Sequence, residues 1–70
     1  MYKYEIIIYW SNDDQVFVAE VPELSGCVAY GTDQESALKN IKDAIEFRID
    51  RATELGRPIP SPKGVRLMLA

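Results

Sequence analysis

Seventy residues with one cysteine and no histidine make a single domain; they exclude an internal disulfide, a zinc site of the usual kind and any nucleophile that needs a histidine base. The net charge of −3 is unevenly spread: from Tyr4 to Leu38 there is no Lys or Arg, only the acids Glu5, Asp13, Asp14, Glu20, Glu23, Asp33 and Glu35, and every base except Lys3 lies from Lys39 onward. The N-terminal half therefore repels a phosphate backbone and attracts a basic surface, and no apolar run approaches the ~18 residues of a spanning helix, so a cytoplasmic protein with no direct nucleic-acid or membrane partner is expected.

Tyr2 to Trp10, YKYEIIIYW, is rich in β-branched and aromatic residues and reads as a strand. SNDD supplies four turn formers, and Gln15 to Val21 makes the returning strand of a hairpin. Pro22 cannot donate to a ladder and closes that strand. PELSG is a turn, and Cys27 to Tyr30 is a short third strand ended by Gly31, with Gly26 and Gly31 expected to permit the turns.

Thr32 and Glu35 have the T-x-x-E spacing of a capping box, which places the helix start there. Leu38, Ile41, Ile45, Ile49, Ala52 and Leu55 then recur every three or four residues and form one apolar stripe. Gly56 suits the position after a helix C-terminus, and Pro58 bars continuation. RPIPSP should be extended and stiff, and Gly64 to Ala70 alternates as a fourth strand. The fold expected is α+β, β-β-β-α-β. A right-handed crossover sets the fourth strand parallel to the first, giving a mixed four-stranded sheet of order 3-2-1-4 with the helix on one face.

Alternation assigns the two faces. Tyr2, Tyr4, Ile6, Ile8 and Trp10, with Phe17, Ala19 and Val21 and with Val65, Leu67 and Leu69, should lie beneath the helix. The other face is mixed: it carries Lys3, Glu5, Ile7, Tyr9, Val16, Val18, Glu20, Arg66 and Met68 and has no second helix to cover it. Ile7, Val16, Val18 and Met68 are the candidate contact between copies. A domain this small has a marginal core, so a dimer or dimer of dimers is expected. A helix from Asp33 to Leu55 runs about 34 Å and should overhang strands of about 23–30 Å, leaving Ile49, Ala52 and Leu55 for the proline segment or a second subunit to cover.

Little here resembles catalytic machinery. The four glycines are scattered at turns rather than gathered in a phosphate loop. Glu5 and Glu20 share the open face, but Asp43, Glu46, Asp50 and Glu54 belong to the helix's outer side, across the sheet, so no metal site or cofactor is expected. Cys27 has no base beside it in sequence and suits a packed thiol.

The segment VPELSGCVAYGTDQESALKNIKDAIE, preceded by YEIIIYWSNDDQVFVAEVPEL and followed by GRPIPSP, resembles the HicB-like antitoxin family. Its members commonly carry V-P-E/D-L-P-G-C followed by a G-x-T-x-E-E-A capped helix; Ser25 stands where proline is frequent. The resemblance implies a partial RNase-H-like fold without nuclease activity. It also implies a HicA-type partner, a small basic mRNA-cleaving toxin whose active site is blocked by protein contact. Glu5, Tyr9, Glu20 and Glu23 are the candidate contacts for it. Many members add a DNA-binding domain after the fourth strand; none is expected here. The competing expectation is an orphan homo-oligomeric accessory or ligand-binding module with no toxin. On either reading Gly26, Cys27, Gly31, Thr32, Glu35 and Gly56 serve the fold.

Overall fold

In the computed structural model, which describes residues 3–62, β1 (Ile7–Ser11), β2 (Val16–Glu20) and β3 (Val28–Gly31) are followed by α1 (Gln34–Glu54). The sheet is wholly antiparallel in the order β1-β2-β3. The described sheet thus has three antiparallel strands, not the expected mixed four. The fourth strand expected at Gly64–Ala70 lies outside the described residues, as do Tyr2, Val65, Leu67, Met68 and Leu69.

The hairpin closes on its own polar atoms. The Gln15 N–H donates to the Ser11 carbonyl at 2.8 Å, and the Gln15 side chain donates to the Asn12 carbonyl at 2.8 Å. Gln15 holds φ at +57°, the left-handed turn position that lets the four-residue loop meet the strand twist. The next turn is anchored by Leu24, which is buried although it sits among turn formers. Its N–H donates to Val21 and its carbonyl accepts from Cys27, which holds the loop against the core.

Tyr4, Ala19, Val21, Cys27 and Ala29 meet Ala37, Ile41, Ile45 and Ile49 in one core, with Leu24 at its end. Ile6, Ile8 and Phe17 flank it. The alternation rule places Tyr4, Ala19 and Val21 beneath the helix as expected, but Trp10, expected there too, is exposed because the helix lies towards β3, and the ladders are shorter than the apolar runs. The helix lies mainly over β3, less over β2 and least over β1. Asn40 reaches from it to the Tyr30 carbonyl on the outer strand at 2.7 Å.

The cap falls one residue later than the T-x-x-E spacing predicts. Asp33, not Thr32, is the N-cap: its carboxylate accepts from the Ser36 N–H at 2.7 Å, and the Ser36 hydroxyl receives the Asp33 N–H at 3.2 Å. Glu35 sits in the first turn, where its charge favours the helix dipole, and is not part of the box. A short aspartate reaches that amide as well as threonine does, so both registers satisfied the pattern. The backbone N–H of Ser36, and then its hydroxyl, hold the Asp33 carboxyl below its ordinary pKa. At the other end the Arg57 N–H donates to Ala52 and the Gly56 N–H to Thr53, a Schellman closure with Gly56 at φ +66°.

Gly31 is required by closeness rather than by a turn. A Cβ there would lie 2.3 Å from the Ala37 nitrogen and 2.5 Å from the Ser36 hydroxyl. Gly26, at φ +78°, faces open space and is the true turn glycine.

Two expectations follow. Gly31→Ala should destabilise by about 3 kcal/mol, because helix backbone must move. Gly26→Ala should cost about 1–2 kcal/mol, from backbone conformation alone. Equal losses in urea titrations of the two variants would contradict this assignment. Asp33→Ala should also lower the melting temperature clearly more than Thr32→Ala. Because the Asp33 pKa is lowered by folding, the charge-dependent part of that excess is full above the ordinary aspartate range and is lost as pH falls through the folded value. Melts at neutral and strongly acidic pH check it.

Candidate functional site

The strand register lays the open face out in rows. Ile7, Glu20 and Val28 lie side by side across β1, β2 and β3. The next row is Tyr9, Val18 and Tyr30, and beyond it Ser11 pairs Val16. Val18 is only 4% exposed although it points away from α1. Tyr9 and Tyr30 are its directly paired neighbours on either side, at a cross-strand spacing of about 5 Å that puts their side chains within reach of it. The tyrosines remain out in solvent, at 46% for Tyr9 and 55% for Tyr30. The result is a flat aromatic and aliphatic patch with the Glu20 carboxylate in it, on strands that contain no base.

Candidate contacts for a partner and for self-association therefore share one surface. Tyr9 and Glu20, the expected partner contacts, alternate in the same rows with Ile7, Val16 and Val18, the expected contacts between copies. Glu5 precedes β1, and its N–H donates to a Glu23 carboxylate oxygen at 3.4 Å. Glu23 belongs to the turn at the end of the sheet. Val28 and Tyr30 are part of the patch and were not singled out in the sequence. The signal for them was the alternation of VAYG, which places both opposite Ala29.

A second concave surface lies at the far end of the helix. Leu24, Ile49, Ala52 and Leu55 line it with Pro58, Ile59 and Pro60 as a half-open cleft of about 620 Å³. The Tyr4 hydroxyl donates to the Pro60 carbonyl and pins the proline segment along one side. The overhanging helix is thus covered in part: Ile49 is buried and Leu55 remains exposed. Arg48, Arg51, Arg57 and Glu23 also line it.

Cys27 is buried next to this region. Burial raises its thiol pKa, and the nearby Arg48 guanidinium only partly offsets that. Arg48 itself donates to the Ser25 carbonyl. No group of three Asp, Glu, Cys or His side chains is placed to hold a metal ion among the described residues. Nor is any described helix long and apolar enough to cross a membrane.

A family model described as HicB-like antitoxin of bacterial toxin-antitoxin system matches residues 4–70. The chain belongs to this family. It is similar to a UPF0150 protein of Thermoplasma acidophilum, 38% identical over 58 residues that cover 83% of each chain. It is also similar to a UPF0150 protein of Helicobacter pylori, 53% identical over 36 residues, 51% of this chain and 50% of that one. No solved structure matches it significantly. Membership in a HicB-like antitoxin family turns attention from catalysis to surfaces.

The thiol of this family member is part of the core and should behave so. Native protein should react with a disulfide reagent at least tenfold more slowly than the same protein in denaturant. Equal rates in the two states would show that Cys27 is open to solvent.

Proposed function

We propose that this protein is an antitoxin that neutralises a small basic mRNA-cleaving toxin of the HicA type, and that it does so with the open face of its sheet. The observation that carries this is the row Tyr9–Val18–Tyr30 beside Glu20, an exposed aromatic patch on strands without a base. Exposed tyrosines flanking a buried aliphatic side chain supply rigid contact area at small entropic cost. The carboxylates of the same half of the chain steer a basic partner towards them. Family membership supports a toxin as that partner.

On this reading the protein supplies no reacting group. It works by occupying the toxin surface that RNA would use, and the acids stand in for phosphates. The four-stranded partial RNase-H-like sheet belongs to the same reading, since a fourth strand beside β1 would widen this face. Pairing of two copies through Ile7, Val16 and Val18 would bury the toxin contacts, so on this face toxin and a second copy compete.

Titration of toxin into purified protein tests the proposal. Tyr9→Ala and Tyr30→Ala should each weaken binding about tenfold to a hundredfold, the range for an interface anchor. Glu20→Arg should mainly slow association and reduce its dependence on salt. Unchanged affinity in the Tyr9→Ala/Glu20→Arg double variant would remove this face from the mechanism. Loss of self-association instead of toxin binding would favour the homo-oligomeric module.

A further inference from the structure

Among the described residues, the large apolar side chains that stay exposed gather in a few places. Tyr9, Val28 and Tyr30 belong to the open face, and Trp10 to the side of β1 that the helix leaves uncovered. The others, Phe47, Leu55 and Ile59, all line the cleft at the end of α1. The same cleft takes in Arg48, Arg51 and Arg57, with Glu23 as the one acid among the described residues that line it. We propose that this cleft is a binding site for a small organic anion, a carboxylate carried on an apolar aromatic or alkyl body.

The cleft has a helical wall and an extended one. Ile49, Ala52 and Leu55 recur every three residues and so lie along one side of α1. Ala52 is the small one of the three and leaves room between the other two. Past Leu55 the Schellman closure turns the chain, and the Tyr4 hydroxyl holds the Pro60 carbonyl, so Pro58, Ile59 and Pro60 form the second wall. Proline has little backbone freedom to lose there, which lowers the cost of ordering the site around a ligand. Its volume of about 620 Å³ falls within the roughly 300–1,000 Å³ of small-molecule sites.

The polar groups left for a ligand are cationic. The carbonyls of Arg51, Ala52 and Thr53 already accept from the N–H groups of Leu55, Arg57 and Gly56, the Pro60 carbonyl accepts from Tyr4, and the prolines have no N–H. An extended peptide would find little backbone to pair with, which favours a small ligand. Arg48 donates to the Ser25 carbonyl, and the Arg51 guanidinium lies 5.9 Å from the ring centre of Phe47. A guanidinium has five N–H donors, so both retain donors for an anion. The Arg57 side chain has no hydrogen bond or ion pair among the described residues. Its planar fork matches a carboxylate through two parallel hydrogen bonds. The apolar body of the ligand would then cover Leu55 and Ile59. The arginines that attract this anion repel a basic toxin, so the site is distinct in kind from the open face.

Titration of the full chain with phenylbutanoate, followed through backbone amide NMR shifts, tests the proposal. The neutral amide of the same acid and inorganic phosphate serve as comparisons. Shifts should centre on Ile49, Ala52, Leu55 and Ile59. The carboxylate should bind at least tenfold more tightly than its amide, by a margin that shrinks as salt is raised, and phosphate should bind more weakly than the carboxylate. In Arg51→Gln/Arg57→Gln the carboxylate should fall to the level of the amide. The amide should bind this variant as it binds the parent, which separates lost charge from lost folding. No shifts up to saturation of the probe, equal binding of acid and amide, shifts centred on Tyr9 and Tyr30, or a variant that keeps the preference would overturn the proposal. The measurement uses no toxin, so its outcome is separate from that of the antitoxin reading.

Discussion

At Gly31 the first turn of α1 lies so close to β3 that a methyl group there would fall 2.3 Å from the Ala37 nitrogen. That contact fixes where the helix begins, and the rest of the arrangement depends on it. The Asp33–Ser36 box sits just beyond it and turns the chain back over the sheet. From that seat Ala37, Ile41, Ile45 and Ile49 descend along β3 and β2, and each successive turn is held by the one before. A larger residue at position 37 or 31 would lift the helix and open the core at its narrowest point.

Seating the helix over β3 has a consequence at β1. One helix about 10 Å wide cannot cover three strands spaced about 4.8 Å apart with equal closeness. The side that loses cover is β1, where Ile6 and Ile8 are half-buried and Trp10 is largely out. No described element covers the other face, where Val18 is buried between the exposed Tyr9 and Tyr30 of its row. Both exposed aromatic regions thus follow from having one helix and placing it off-centre. Neither requires a residue to be strained or a polar group to be left unpaired; no buried side-chain polar atom lacks a partner among the described residues.

How much of this was legible in the sequence depended on the period of each signal. Alternation placed Ala19 and Val21 under the helix and Ile7, Tyr9 and Glu20 opposite, because a period of two leaves no third choice. The helical stripe found Ile41, Ile45 and Ile49 for the same reason. Ala37 escaped, since its burial comes from a close approach of two backbones and a small side chain gives no hydrophobic signal. Leu24 escaped because it stands among turn residues, where no period applies. The cap was misplaced by one residue because TDQES contains two overlapping boxes, Thr32–Glu35 and Asp33–Ser36, and only the approach to Gly31 decides between them. Tyr30 was placed in a strand, yet the row that joins it to Tyr9 through Val18 needed the register of two ladders.

Charge and apolar surface divide the molecule along different lines. The sequence splits by sign near Leu38, so the described strands and the turns between them carry acids and no base, while the described bases are Lys3 and those of the helix and its exit. Among the described residues the surviving ion pair is Lys39 with Asp43, both exposed on one helix face, which contributes little to stability. That pair is not what seats the helix on the sheet; the buried core does that. Separated in this way, the charges make the open face attractive to a basic surface and the cleft beside Arg57 attractive to an anion. A protein of this size could not bury either set without losing the core that carries them. It can keep both exposed because the hydrophobic contacts around Ile41 need none of the charged residues to close.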